Sequence, residues 1–348
     1  MNSNDIAKIA GVSRSTVSRV INNYPNVPEE TREKVLKVIK KYDYVPHASA
    51  RMLAGYKNRI IGLFIIDIVE RKDGIKNRIT KSPYYLEFTS SVIEAASEKG
   101  YRVLVHIIHN ASRYEEIKIC FYDKTISGGI FIGENNGDSV IKKIIKEGYK
   151  VALIDQDVRL YNDNSKCIIV NSDNYNGAYN ATKHLISLNH TKIAHITGDL
   201  EKFSSIERVK GYKKALQDSN IPINNQFIIN SEFIEMGGYR AAKKIFSRDN
   251  KPTAIFASND KIAIGAIKAI KELGLKVPED VSIIGFDNIE ESKYLDPPLT
   301  TIQMELAEMA ELATNRIINS IENYMNVSEY YNIPVTLVSR STCKCLNR

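Results

Sequence analysis

Two groups of residues in this 348-residue chain have types and spacings that can do chemistry. Arg14, Ser15, Ser18 and Arg19 fall on one face of a helix-period segment. There they offer guanidinium and hydroxyl donors to an acceptor-rich surface. Arg208 and Asp287 form the second group. A guanidinium presents a rigid fork of donors suited to paired hydroxyls or a carboxylate, and a carboxylate accepts from two hydroxyls at once. The rival reading of this pair is a buried ion pair bridging two elements. Asn259 and Asp260 stand at a strand end and helix start, where either ligand contact or capping accounts for them. Catalytic patterns are fragmentary. Ser139-x-x-Lys142 and Ser172-Asp173-Asn174 imitate two penicillin-binding motifs without the Lys-Thr-Gly that completes the set. Phosphate-loop, dinucleotide and H-E-x-x-H signatures are missing. His190 and His195 read as a turn residue and a satisfied core histidine. Cys120, Cys167, Cys343 and Cys345 show no C-x-x-C spacing, so neither a metal nor a cofactor is expected.

The elements that position the first group are short helices. Asp5–Ala10 reads as a helix, and Gly11-Val12 as a tight turn that uses glycine's tolerance of positive φ. Ser13 caps a second helix over Arg14–Asn22, with Val17, Val20 and Ile21 inward. Pro28-Glu29-Glu30 opens a third, with Val35, Leu36, Ile39 and Tyr42 as its apolar stripe. This is a helix-turn-helix, whose second helix enters the DNA major groove by its N-terminal end. Arg14 there can pair bidentately with a guanine edge, worth ~1–3 kcal/mol of discrimination. Charge agrees: residues 1–59 hold eleven basic and five acidic residues, so +6 of the net +7 lies in that first sixth.

From Ile60 onward, short Val/Ile-rich runs alternate with amphipathic stretches. The runs are 60–66, 101–107, 129–132, 150–154, 168–170, 192–196, 254–257 and 281–285. Helices are expected over 86–99, 138–147, 174–188, 206–219, 237–247, 260–273 and 304–323. Alternation of this kind predicts parallel sheets flanked by helices, with ligands at the carboxyl ends of strands. The charged, pattern-free 70–81 reads as a surface loop. No apolar run approaches the ~18–20 residues of a membrane helix. The first residues lack a secretory pattern, so a cytoplasmic protein with reduced thiols is expected.

The string Asp5-Ile6-Ala7-x-x-Ala10-Gly11-Val12-Ser13-x-x-Thr16-Val17-Ser18-Arg19-Val20-Ile21-Asn22 resembles the DNA-binding headpiece of the LacI/GalR repressor family. The likeness continues through Val27-Pro28-Glu29-Glu30-Thr31-Arg32 and Tyr44-x-Pro46-x-Ala48-x-Ala50-Arg51-x-Leu53. In the body it covers Ser127-Gly128-Gly129-Ile130, Asp173-Asn174-x-x-Gly177-Ala178, Glu207-Arg208-x-x-Gly211-Tyr212, Ser258-Asn259-Asp260 and Gly285-Phe286-Asp287-Asn288. The resemblance implies that Arg14, Ser15 and Arg19 read bases, with Thr16, Ser18 and Asn22 beside them on DNA. It implies a hinge helix in which Ala50 and Arg51 meet DNA and Leu53 wedges into a minor-groove step. It also implies a cleft holding Arg208, Asp287, Asn259, Asp155 and Ser204, lined by Tyr84, Tyr85 and Phe233. Lys202 stands where purine-responsive relatives carry an arginine. Met304 stands where sugar-binding members often carry glutamine.

The expected fold is α/β: a small all-α helix-turn-helix headpiece, then a two-lobed periplasmic-binding-protein-like core of parallel sheets flanked by helices. The expected domains are a headpiece at 1–45, a hinge at 46–57 and an effector and dimerisation domain at 58–348. Its first lobe is placed at about 58–171 plus 300–325, its second at about 172–298 plus 326–348. The expected function is a homodimeric transcription regulator, a repressor rather than an enzyme. Its partners are a near-palindromic double-stranded operator and a small effector, a carbohydrate or sugar derivative, with no membrane partner. A nucleobase or nucleoside, or a phosphorylated carrier protein, are the competing effectors. A solute-binding transport receptor has the same kind of body, but it has no use for a basic headpiece.

Overall fold

The computed structural model describes residues 1–21, 24–44, 58–67, 82–161 and 166–346. Asn22, Ala50, Arg51 and Leu53, with the rest of the expected hinge 46–57 and the loop 70–81, lie outside the described residues. The chain divides into two compact units, Met1–Arg59 and Ile60–Arg348.

In the first unit, α1 (Ser3–Ala10), α2 (Arg14–Ile21) and α3 (Glu29–Lys41) surround a small core. Ile6, Ala7, Val17, Val20, Val27, Val35 and Tyr44 fill it. A capping box starts α1: the Asn2 side chain accepts from the amides of Asn4 and Asp5, and Asp5 accepts from the Asn2 amide. Gly11, at φ +67°, ends it in the left-handed region. Ser13 Oγ accepts from the Thr16 amide at 3.1 Å and so caps α2. In α3, Val35 is buried and Val38 and Ile39 pack beside it, whereas Leu36 and Tyr42 are exposed in this unit. The inward stripe is therefore rotated from the expected one.

The second unit holds two parallel sheets. The strands of the first lobe are β1 (Ile60–Ile66), β2 (Arg102–Ile108), β3 (Gly128–Ile132), β4 (Val151–Ile154) and β5 (Ile168–Ser172). They pair in the order β5-β4-β3-β1-β2. Helices α4 (Pro83–Glu98), α5 (Tyr114–Tyr122) and α6 (Ser139–Lys146) connect them. Runs such as IIGLFII and GGIFI are buried on both faces, which is why they read as continuous apolar strings. The second lobe starts with α7 (Asn174–Ser187), followed by β6 (Ile193–Ile196), α8 (Phe203–Asp218), β7 (Ile228–Ile229), α9 (Glu235–Phe246), β8 (Ala254–Ala257), α10 (Asp260–Glu272) and β9 (Ser282–Ile284). Its sheet runs β7-β6-β8-β9.

The chain then crosses back. β10 (Thr301–Gln303) leads into α11 (Leu306–Glu322), which packs against α4 and the first sheet. β11 (Glu329–Ile333) follows, then β12 (Thr336–Val338), which pairs with β10. This corrects the expected lobe boundaries. Residues 329–333 belong to the first lobe, not the second, because β11 pairs in parallel register with β5, Glu329 opposite Ile168. Thr300 belongs to the second lobe, because it bridges to Ile284.

Candidate functional site

The side chains that α2 turns outward are Arg14, Ser15 and Arg19, all exposed, with Thr16 and Ser18 half-buried. The Ser13 hydroxyl lies 2.7 Å from that of Ser15 and 2.9 Å from that of Thr16, which ties these side chains to the cap. Among the described residues neither Arg14 nor Arg19 is in an ion pair. Among those residues both guanidiniums are presented without an internal anion, which suits a polyanion-binding face.

A second constellation lies at the carboxyl ends of the strands in the two-lobed unit. Arg208, on α8, is 3% exposed and held on every side. Its Nε donates to Asn174 Oδ1 at 2.9 Å, Nη1 donates to the Ser258 carbonyl, and Nη2 reaches Met304 Sδ at 3.5 Å. The Phe286 ring lies 3.7 Å beneath the guanidinium carbon. Asp287 Oδ1 is 3.8 Å from Nη1. Asp287 sits just beyond β9 at φ +107°, so the chain turns sharply to aim this carboxyl inward. Asp155, just beyond β4 at φ +53°, accepts from the Ser172 amide at 3.2 Å and from Asn174 Nδ2 at 3.0 Å. Tyr84, from α4, interacts with the Asp155 carboxyl and favours its charged form. Burial pushes the Asp287 carboxyl up to about 7, against the lowering pull of Arg208. The Asp155 carboxyl is likewise raised by burial and opposed by Arg208.

Tyr84 and Tyr85 meet edge to face, with centroids 5.3 Å apart. Phe233 lies over Gly198, where an added Cβ would come within 2.1 Å of the ring. Asn259 caps α10 by accepting from the Ile262 amide at 2.8 Å, and its Nδ2 reaches the Phe233 carbonyl at 3.5 Å. It therefore both caps a helix and holds the aromatic. Asp260 serves the fold: its carboxylate accepts from Thr301 Oγ1 at 2.5 Å and from the Ile289 amide at 2.9 Å, fixing the turn that carries Asp287. Ser204 is half-buried at the start of α8. The Lys202 ammonium is engaged elsewhere, with Gly133 and Asn135 of the first lobe.

Two residues were missed by the reading of the sequence. Asn174 joins Asp155 to Arg208, one amide serving both. It is the first residue of α7, whose cap is the neighbouring Asp173. Glu134, two residues beyond β3, is 2% exposed, and among the described residues neither of its carboxyl oxygens has a hydrogen-bond partner. Burial pushes it up to about 8, against weaker pulls from its own amide and Lys202. His190 and His195 are both buried, but among the described residues the Nε2 of His195 has no hydrogen-bond partner, so it is not the fully satisfied core histidine expected, and His190 is a bonded interior group rather than a turn residue. His195 stacks on Phe256 and bonds its carbonyl at 2.9 Å, and burial lowers it to about 4. His190 meets Thr253, Ser282 and the Lys344 carbonyl. Ser172 Oγ points at Met309 Sδ and Ser139 opens α6, so the two serine fragments are not brought together as a catalytic set.

A helix-turn-helix unit joined to a two-lobed ligand-type core defines a DNA-binding regulator. Residues 4–47 match the bacterial regulatory proteins of the lacI family, and residues 182–343 match the periplasmic binding protein-like domain. The HTH-type transcriptional repressor PurR of Histophilus somni is 35% identical over 98% of both chains. The ribose operon repressor of Haemophilus influenzae is 34% identical over 97% of this chain and 96% of its own. The crystal structure of the lac repressor dimer bound to operator and the anti-inducer ONPF superimposes with a TM-score of 0.78 at 26% identity, covering 98% of each chain. This chain belongs to the LacI family and is a DNA-binding transcriptional regulator. Among the described residues no helix is long and apolar enough to cross a membrane.

Proposed function

We propose that the protein is a homodimeric cytoplasmic repressor without catalytic activity, whose affinity for a near-palindromic operator is set by a neutral, hydroxyl-rich effector, a sugar or sugar derivative. The observation that carries the effector reading is the Arg208 cluster: one guanidinium held beside the carboxyls of Asp155 and Asp287, with Tyr84 interacting with Asp155. Alternating donors and acceptors of this kind pair with vicinal hydroxyls. Two carboxyls against one guanidinium disfavour an anionic ligand. Tyr84, Tyr85 and Phe233 offer aromatic faces to the C–H face of a sugar ring. Arg208, Asp287 and Asp155 hold the hydroxyls, with Asn259 and Ser204 at the margin. On DNA, Arg14, Ser15 and Arg19 read bases, and Thr16, Ser18 and Asn22 hold the backbone. Ala50 and Arg51 flank the Leu53 wedge in the hinge. Two copies of the headpiece require a two-fold symmetric site.

A nucleobase is the second reading, since the same aromatic faces suit a planar ring. The test is an operator gel shift across neutral sugars, sugar phosphates, nucleobases and nucleosides. A shift in operator affinity with a neutral sugar supports the proposal. A response confined to phosphorylated sugars or to nucleobases overturns it.

A further inference from the structure

The lobes of the second unit also meet through two turns that the Arg208 cluster does not use. One turn, Gly133 to Asn136, follows β3 in the first lobe; the other, Asp199 to Lys202, precedes α8 in the second. Lys202 Nζ donates to the Gly133 carbonyl at 2.6 Å and to Asn135 Oδ1 at 2.7 Å. Asn135 Nδ2 donates to Glu201 Oε2 at 2.6 Å. The Asn136 amide donates to the Glu201 carbonyl at 2.9 Å. Asn135 thus faces the second lobe with both ends of its amide, the oxygen to Lys202 and the nitrogen to Glu201.

Each turn is braced within its own lobe. Asn136 Oδ1 accepts from the Asp157 amide at 3.0 Å. Asp199 Oδ1 accepts from the Glu201 amide at 3.0 Å, and the Asp199 carbonyl accepts from the Lys202 amide at 3.1 Å. Two stiff turns joined by side-chain and backbone bonds behave as one contact, made or broken together. The Lys202 side chain is half-buried, and burial lowers its pKa. Such a group needs its acceptors, so parting the lobes exchanges a satisfied ammonium for a solvated one.

We propose that Lys202 is a positioning residue: with Asn135 and Glu201 it forms a latch that holds the two lobes closed without touching the effector. The proposal rests on the effector-cleft reading for its role in regulation. The latch itself is tested without effector or DNA. Full-length protein with the accessible thiols removed by Cys343→Ser and Cys345→Ser, and carrying Lys143→Cys and Lys244→Cys as label sites on α6 and α9, is spin-labelled and mixed with excess unlabelled chain. The distance between labels then reports lobe separation within one protomer.

Lys202→Met should lengthen or broaden that distance distribution, and Asn135→Ala should do the same. Combining the two should add little, because both break one contact. Lys202→Arg, which keeps donors, should restore the narrow distribution. A distribution unchanged in Lys202→Met overturns the latch. If a gel-shift panel finds an effector, Lys202→Met should weaken it about equally across related compounds. A changed ranking among those compounds would make Lys202 a ligand contact and overturn its positioning role. A failed panel with a loosened Lys202→Met distribution would instead count against the effector reading alone.

Discussion

The arginines of the two units do opposite work. Arg14 and Arg19 are exposed and, among the described residues, in no ion pair. Arg208 is buried and fixed by Asn174, Ser258, Met304 and Phe286, beside Asp287. An exposed, uncommitted guanidinium attracts a polyanion over distance and loses that pull as salt rises. A buried one, already held by neighbouring acceptors, acts only at short range. On the proposed reading it holds a fixed pattern of donors between carboxyls that a small molecule must match. DNA recognition and effector recognition therefore answer differently to substitution: the first in salt-dependent affinity, the second in the integrity of the fold as well.

The largest effect is expected from Arg208→Ala. It strands two carboxyls in the core, and breaking a buried charge pair from one side costs roughly 3–5 kcal/mol. Thermal unfolding of the second unit should fall sharply, and the effector response should vanish. Operator recognition at a temperature where the variant is folded should persist. A normal effector response would remove Arg208 from the site. Glu134 comes next, through pH. In the folded protein its carboxyl stays protonated up to about 8, and its ordinary value is 4.5. The folded state therefore holds a proton that the unfolded chain has released. The stability linked to that proton is complete below 4.5 and is lost as pH rises towards 8, at up to about 1.4 kcal/mol per pH unit. Glu134→Gln removes the titration. Its denaturant midpoint should fall less than wild type between pH 5 and 8, and equal slopes would show that Glu134 does not hold the proton.

These two residues also mark how far the sequence alone can be read. Arg208 was legible because a motif with ordered neighbours, Glu207-Arg208-x-x-Gly211-Tyr212, surrounds it, and the strands were legible as unbroken Val/Ile runs. Glu134 sits in an unremarkable Gly-Glu-Asn-Asn stretch, and only the packing of distant segments makes it buried and unpaired. The partners of Lys202 are likewise more than sixty residues away. The elements overlooked are those whose patterns are weak. The two-residue β7 has no period to detect, and β11 (EYYNI) alternates half-buried and exposed positions at a sheet edge. Helix α5 mixes charged and apolar residues without a clean stripe.

In the first unit the expected effects are smaller and come from recognition and turn geometry. Arg14→Ala should lose ~1–3 kcal/mol of discrimination at one base position of the operator. A competition gel shift at fixed salt checks this, and a uniform loss across all operator variants would make Arg14 a phosphate contact instead. Gly11 offers the finest test. Its φ of +67° is left-handed, and a Cβ built there meets nothing within 4 Å. Alanine therefore brings no clash, only the backbone cost of that conformation, about 1 kcal/mol. Asparagine, which tolerates the left-handed region better than alanine, should cost less. Because the turn sets the angle between α1 and α2, Gly11→Ala in the full chain should raise amide exchange in residues 3–21 and leave the second unit's exchange unchanged. If alanine and asparagine raised exchange equally, the left-handed turn would not be what holds α2 in place.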